Sequence, residues 1–209
     1  MNVIFWDFNG TIVDDVQACL DIENEMLAKR GMKGNFTLEH YRNLFCFPVI
    51  EYYKKIGYTF EKETYEEVSR EFNDAYDERF PSFHLVPGVK ELLEESIDKG
   101  YTNHIISATR QAALELEVQL MGVEQYFDTL IGIDDDLAFS KVEHAKRFMK
   151  DSGLNPEDCL YIGDSLHDLE CGLALNIQHI ILVACGHQSY EVLKSKWDNV
   201  VHTVEEVKI

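Results

Sequence analysis

Residues 3–11 read Val3-Ile4-Phe5-Trp6-Asp7-Phe8-Asn9-Gly10-Thr11, an apolar run that ends in a carboxylate and a tight turn. A continuous apolar run bounded by polar turn residues is typical of a strand that is buried on both faces of a parallel sheet. Gly10 lets the backbone turn sharply after the strand. The stretch therefore predicts a strand that presents Asp7 as a nucleophile at its carboxyl end, although a polar strand end is the alternative when the stretch is taken alone.

Further apolar runs indicate more strands of the same sheet: His104-Ile105-Ile106-Ser107, Thr129-Leu130-Ile131-Gly132-Ile133, Cys159-Leu160-Tyr161-Ile162-Gly163 and His179-Ile180-Ile181-Leu182-Val183-Ala184. Helical patterns lie between them at residues 89–99, 111–121, 142–152 and 168–175, and a glycine follows each of the first three. This alternation predicts a doubly wound, mostly parallel α/β sheet.

Residues 15–83 interrupt the alternation, because their pattern is helical and charged throughout. The predicted organisation is an α/β core domain formed by residues 1–14 and 84–209, with an inserted all-helical cap domain at residues 15–83. Apolar residues at helical spacing in the insertion, among them Tyr52, Tyr53, Phe72 and Tyr76, are expected to form its own core rather than a ligand pocket.

The charge of the chain restricts its partners. It has 38 acidic against 19 basic residues, a formal charge of −19, which argues against nucleic acid and against anionic membrane surfaces. Five widely spaced cysteines without a C-x-x-C pair favour free thiols in a reducing compartment. No run of 18 apolar residues occurs, so we expect a cytoplasmic protein. Nothing in the sequence specifies an oligomeric state.

Polar residues follow or end several predicted strands. Asp7, Ser107 and Asp164 occupy these positions, Lys141 opens a predicted helix, and Asp168 lies four residues after Asp164. Ligands of open α/β sheets bind beyond the carboxyl ends of the strands. The carboxylates could hold Mg²⁺, while the hydroxyl and the lysine could bind phosphate oxygens. Taken one at a time, the alternative is that they cap turns, start helices or face solvent.

The order of these residues resembles the haloacid dehalogenase-like (HAD) superfamily of hydrolases, specifically its phosphatases with a helical cap, such as phosphoglycolate phosphatase. The four family motifs are matched by Asp7-Phe8-Asn9-Gly10-Thr11, Ile105-Ile106-Ser107, Ser140-Lys141-Val142, and Gly163-Asp164-Ser165 with Asp168. The resemblance covers essentially the whole chain. It implies a Mg²⁺-dependent phosphohydrolase that acts on a small phosphorylated metabolite.

The resemblance also implies a role for each matched residue. Asp7 would attack phosphorus, and Mg²⁺ would be held by Asp7, the Asn9 backbone carbonyl and Asp164, while Asp168 would order the waters of the metal. The transferring phosphoryl group would be bound by Ser107, Ala108 and Lys141.

Asn9 departs from the family pattern, in which a second aspartate protonates the leaving alcohol and later activates water. An amide can do neither, and a general acid–base contributes roughly 10²- to 10⁴-fold to rate. Three hypotheses follow: a slow phosphatase, a phosphate-ligand binding or regulatory protein, and, more weakly, a phosphonate hydrolase, for which neither Lys54 nor Lys55 can be assigned as the required cap lysine. His167, within the fourth motif, is a candidate replacement acid.

Substrate specificity in this family comes from the cap. Arg42, Phe45 and Phe47, near a predicted cap loop, are therefore candidates for the pocket wall. The alternative is that the two phenylalanines pack the core of the cap and that Arg42 pairs with acidic groups on the surface.

Overall fold

The structure, a computed structural model, describes residues 2–134 and 141–209; Ser140, quoted in the third motif, lies outside these ranges. The strands are β1 Val3–Trp6, β2 Val13–Asp14, β3 His84–Leu85, β4 Thr102–Arg110, β5 Thr129–Ile133, β6 Cys159–Gly163, β7 His179–Val183 and β8 Val200–Val201. The helices are α1 Val16–Lys29, α2 Leu38–Leu44, α3 Val49–Lys55, α4 Tyr65–Arg79, α5 Val89–Asp98, α6 Gln111–Leu120, α7 Val142–Ser152, α8 Leu166–Ala174 and α9 Tyr190–Lys194.

The predicted doubly wound, mostly parallel α/β core is confirmed. Six of the described strands form one sheet in the order β5-β4-β1-β6-β7-β8, and each pairing in it is parallel. Alternate residues of β1 enter opposite apolar layers, Val3 and Phe5 on one face and Ile4 and Trp6 on the other. Burial on both faces explains why β1 reads as a continuous apolar run.

The segment between β2 and β3 contains the helices α1 to α4. The two short strands pair antiparallel, with Val13 opposite Leu85 and Asp14 opposite His84. This pairing brings the two ends of the inserted segment together beside the core. The domain bounds at residues 15 and 83 stay a prediction.

Two elements differ from their predicted bounds by two residues or more. Strand β4 continues to Arg110, three residues beyond the predicted end. Helix α8 begins two residues earlier than predicted, because Ser165 caps it and donates its backbone N–H to Asp168 Oδ2 at 2.9 Å. None of the helices in the described ranges combines the length and the apolar character needed to cross a bilayer.

Candidate active site

The carboxyl ends of β1, β4 and β6 meet at one edge of the sheet. Strand β1 pairs with β4 on one side and with β6 on the other, so the chain winds away from β1 in both directions. Asp7 directly follows β1 and Asp164 directly follows β6. The two carboxylates thus lie at the topological switch point, where open α/β sheets bind their ligands.

Lys141 connects the ends of these elements through its ammonium group. The Nζ atom contacts Asp7 Oδ1, lies 2.5 Å from Asp168 Oδ1 and donates to the backbone carbonyl of Ile106 at 3.0 Å. Burial lowers the pKa of Lys141, but the charges of Asp168 and Asp7 outweigh this effect and hold the pKa above its ordinary value. Lys141 is therefore a fixed cation in the site.

Asp7, Asp164 and Asp168 form a cluster of buried carboxylates. One oxygen from each lies within 4.8 Å of the others. Burial and the charge of Asp168 raise the pKa of Asp7 well above its ordinary value, against the lowering effect of Lys141. Burial and the charge of Asp168 raise the pKa of Asp164 to about 6, against the lowering effect of His187. The cluster thus contains more negative charge than its single lysine balances.

Two glycines keep space open beside Asp164. Gly10 has a left-handed backbone (φ +73°), and a Cβ at this position would lie 2.5 Å from Asp164 Oδ2. A Cβ at Gly186 would overlap the same carboxylate. Three buried carboxylates with excess negative charge and with space beside them fit a hard divalent cation, which prefers oxygen ligands.

All hydrogen-bonding groups of the Asn9 amide have partners. The Nδ2 group donates to Asp15 Oδ2 at 3.1 Å and to the Tyr76 hydroxyl at 2.7 Å. The Oδ1 atom accepts from Thr109 Oγ1 at 2.9 Å. Asp15 is thus the carboxylate next to the position where the family pattern has its second aspartate.

Asp15 forms a buried ion pair with His187. The imidazole Nε2 lies 3.3 Å from Asp15 Oδ1, and Nδ1 is hydrogen-bonded to the Tyr41 hydroxyl at 2.8 Å. Burial lowers the pKa of His187, but the charge of Asp15 outweighs it and raises the pKa to about 9. Burial raises the pKa of Asp15, but His187 outweighs it and lowers the pKa. Both side chains are therefore charged at neutral pH.

A cavity of about 190 Å³ opens above the carboxylate cluster. Its floor includes Asp7, Asn9, Lys141 and Asp164, and its walls come from the inserted helices and from α6. Tyr53, Phe72 and Tyr76, which the sequence assigns to the core of the insertion, also line this cavity. These side chains can serve both purposes, because one face of an inserted helix can pack in its own core and also cover the pocket below.

The comparison with protein families decides the identity of the fold. Residues 3–182 match the family described as "Haloacid dehalogenase-like hydrolase". The chain belongs to this family. The predicted superfamily and the prediction of a HAD-like phosphohydrolase are thereby confirmed, since named relatives are phosphatases.

Two relatives and one solved structure illustrate the similarity. The pyrophosphatase PpaX of Oceanobacillus iheyensis is 26% identical over 185 residues, which cover 85% of this chain and 81% of the relative. A phosphoglycolate phosphatase of Nitrosococcus oceani is 29% identical over 152 residues, or 71% of this chain and 67% of the relative. A HAD-like hydrolase of Streptococcus pneumoniae has a TM-score of 0.82 at 18% identity, covering 99% of this chain and 96% of its own. The solved structure thus shares the fold.

The second motif of this HAD-like chain presents a threonine to the cavity. Ser107 is buried, and its Oγ accepts from the backbone N–H of Thr109 at 3.0 Å. The residues that line the cavity include Ala108 and Thr109 but not Ser107. Sequence reasoning missed Thr109; the available signal was a second hydroxyl two residues after Ser107. The phosphate-binding roles of Ser107 and Ala108 stay predictions.

The predicted specificity residues separate into two groups. Phe45 and Phe47 line the cavity of this HAD-like protein. The lining does not include Arg42, which instead donates Nε to the Gly186 carbonyl at 2.8 Å and an Nη group to the Cys185 carbonyl. Arg42 thus connects α2 to the loop after β7, and its predicted contact with substrate stays a prediction.

His167 lies outside the cavity lining. Its ring stacks on Phe47 with centroids 4.5 Å apart, and its Nε2 accepts from the backbone N–H of Lys141 at 3.4 Å. Burial and the charge of Lys141 lower its pKa. These contacts favour His167 as a packing residue rather than as a replacement acid.

Proposed function

We propose that this chain is a Mg²⁺-dependent phosphatase that hydrolyses small phosphate monoesters through an aspartyl-phosphate on Asp7. The observation that carries the proposal is the buried cluster in which Lys141 bridges Asp7 and Asp168 beside Asp164. The cluster offers a nucleophile, a cation and oxygen ligands at one sheet edge. The names of the relatives, a pyrophosphatase and a phosphoglycolate phosphatase, support hydrolysis at phosphorus.

The reaction has two displacements. An Asp7 oxygen attacks phosphorus, the bond between phosphorus and the ester oxygen breaks, and that oxygen leaves as its anion, which an alkoxide then neutralises by taking a proton from solvent. Water then attacks the same phosphorus and loses a proton to solvent, and the bond between phosphorus and the Asp7 oxygen breaks, which releases inorganic phosphate and regenerates the Asp7 carboxylate. Lys141 and the amides and hydroxyl at residues 107–109 offset the charge of the transferring group.

Mg²⁺ would be held by Asp7, the Asn9 backbone carbonyl and Asp164, with Asp168 ordering its waters. When bound, Mg²⁺ neutralises charge on the phosphoryl oxygens. The raised pKa values of Asp7 and Asp164 support this assignment, because burial and mutual repulsion destabilise their charged forms without a second cation.

Asn9 makes the phosphatase slow for ordinary alcohols. The amide has no proton to give to the leaving oxygen and cannot take one from water, so the roughly 10²- to 10⁴-fold contribution of a general acid–base is absent. The deficit should be smallest for p-nitrophenyl phosphate, because p-nitrophenolate leaves without protonation.

The test compares wild type with Asp7→Ala on p-nitrophenyl phosphate and on benzyl phosphate, with and without Mg²⁺. We expect Mg²⁺-dependent release of phosphate that Asp7→Ala abolishes, and a much lower rate with benzyl phosphate. Turnover in the Asp7→Ala variant equal to wild type would exclude the proposal.

Asn9→Asp tests the missing proton shuttle in the same assay. We expect a higher rate, with the larger gain on benzyl phosphate. An unchanged rate on both esters would mean that another group already supplies the proton.

The alternative function is a phosphate-ligand binding or regulatory protein. Asn9 favours it, because the amide is fixed by Asp15, Tyr76 and Thr109 and leaves the cluster of Asp7 intact. It predicts Mg²⁺-dependent binding of a phosphate ester without hydrolysis. Calorimetry combined with a phosphate assay separates the two functions, because the phosphatase consumes its ligand.

A cytoplasmic location and the absence of nucleic acid and membrane partners are further proposals. The charge of −19 supports the absence of nucleic acid and membrane partners, and five free cysteines support a reducing compartment. Fractionation of cells that produce the protein would test the location.

A further inference from the structure

The wall of the cavity on α6 contains a carboxylate oxygen that lacks a hydrogen-bond partner. Glu117 on α6 is 5% exposed and lines the cavity, and its Oε2 has no hydrogen-bond partner in the described structure. A buried acceptor without a donor carries a free-energy cost. A ligand that supplies a donor or a cation would remove this cost.

The charges of Asp77 and Asp15 disfavour an anionic ligand group beside Glu117. Burial and the charges of Asp77 and Asp15 raise its pKa to about 8. Glu23, also buried and on the cavity lining, accepts from the Tyr52 hydroxyl, and burial raises its pKa to about 8 as well. Asp77 and Asp15 would repel a second phosphate or a carboxylate on the ligand, whereas an ammonium group would favour the ionised form of Glu117.

The cations of the cavity floor are already paired. Lys141 contacts Asp7 and Asp168, and His187 pairs with Asp15. Arg110 also lines the cavity, and the charges that raise the pKa of Glu117 are those of Asp77 and Asp15. A bound ammonium group would supply the donor that Glu117 Oε2 lacks.

Aromatic side chains form part of the lining that Glu117 shares. Tyr53 from α3 and Tyr65, Phe72 and Tyr76 from α4 line the same cavity. Aromatic faces attract cations, and the attraction grows when the cation is desolvated. Asp7 and Glu117 line the same cavity. A ligand that contacts both would therefore pack an apolar body against these rings.

We propose that the substrate is a phosphate monoester of an amine-bearing alcohol, whose apolar or aromatic body packs among these rings and whose protonated nitrogen pairs with Glu117. The inference rests on the proposed function and narrows it. It separates this chain from the pyrophosphate and phosphoglycolate named for its relatives, whose leaving groups are anionic.

Three benzyl phosphates that differ only in their para substituent test the proposal: 4-(aminomethyl)benzyl, 4-ethylbenzyl and 4-carboxybenzyl phosphate. With wild type and Mg²⁺ we expect kcat/KM to be at least about tenfold higher for the aminomethyl ester than for the ethyl ester, and lowest for the carboxy ester. Equal values, or a preference for the carboxy ester, would overturn the inference.

Glu117→Gln should abolish the preference for the aminomethyl ester over the ethyl ester. Glu115→Gln, an exposed position on the same helix, is the matched control and should keep the preference. A preference that survives in Glu117→Gln would overturn the assignment of Glu117. The wild-type comparison needs no variant, so it decides the substrate class even if Glu117→Gln fails to fold.

A binding arm separates the inference from the proposed function. Calorimetry with 4-(aminomethyl)benzylphosphonate and 4-ethylbenzylphosphonate in Mg²⁺ measures the same preference without hydrolysis. Absence of Asp7-dependent turnover on all three esters would reject the phosphatase, while tighter binding of the aminomethyl phosphonate would still support the amine site. Equal binding of the two phosphonates would reject the amine site.

Discussion

Replacing Asn9 by Asp creates a pair of carboxylates in a buried part of the site. The Asn9 Nδ2 atom lies 3.1 Å from Asp15 Oδ2, so Asn9→Asp places an oxygen where the amide now donates. Two unit charges at the 3.1 Å separation repel by about 5 kcal/mol at an effective dielectric constant of about 20. The two carboxylates can avoid this repulsion if the pair binds one proton. At pH 7 that costs about 4 kcal/mol for a carboxyl with an ordinary pKa near 4.

The cost of proton uptake therefore limits the loss of stability, and the charge of His187 beside Asp15 reduces that loss further. We expect Asn9→Asp to lower the free energy of unfolding by about 2–4 kcal/mol at pH 7. The folded pair binds a proton that the unfolded chain has released, so the loss should shrink as the pH falls. At pH 5 the same reasoning limits it to about 1 kcal/mol.

Urea denaturation of wild type, Asn9→Asp and the double variant Asn9→Asp/Asp15→Asn measures this effect. The double variant exchanges the amide and the carboxylate, so it should recover most of the stability at pH 7. An Asn9→Asp protein as stable as wild type at pH 7, or one whose deficit is the same at pH 5, would refute the contact between positions 9 and 15.

Three further perturbations test the buried charges. Lys141→Met leaves its two carboxylate partners unpaired, so it should lower the unfolding free energy by about 3–5 kcal/mol and abolish turnover. Tyr52→Phe removes the hydroxyl that donates to Glu23, so it should lower the free energy of unfolding measured in urea by about 1–3 kcal/mol. Glu23→Gln is the comparison variant, because its side chain keeps an acceptor for that hydroxyl. Burial lowers the pKa of His187, but Asp15 raises it to about 9. The contribution of this ion pair to stability should therefore be fully present below the unfolded-state pKa of His187, near 6.5. It should fall by up to about 3 kcal/mol as the pH rises to about 9. A His187→Gln variant should lack this part of the pH dependence.

The fold was predictable because parallel strands buried on both faces leave continuous apolar runs in the sequence. The strand predictions at residues 129–133 and 159–163 match the structure, and so does the helix at residues 142–152. The carboxyl ends of such strands share one edge, so Asp7 and Asp164 could be placed together without knowledge of the helices. Lys141 could be placed at the start of a helix, but its contact with Asp7 joins residues 134 positions apart and has no local pattern in the sequence.

Other parts of the site leave no local pattern in the sequence. Asp15 is the first residue of the predicted insertion and His187 follows the last long predicted strand, and only folding brings them together. Glu117 reads as an ordinary helix residue until the cavity beside it is known. Arg42 binds backbone carbonyls, and a backbone acceptor has no sequence signature.

The central claim is that Asp7 carries the phosphoryl group during turnover. Asn9 cannot activate water, so breakdown of the aspartyl-phosphate should be slower than its formation from p-nitrophenyl phosphate. Rapid mixing with Mg²⁺ should then show a burst of p-nitrophenolate approaching one equivalent per protein, and mass analysis of the acid-quenched sample should find one phosphoryl group on the peptide that contains Asp7. Release of p-nitrophenolate that is linear from the start, with no phosphorylated Asp7 peptide, would contradict the account.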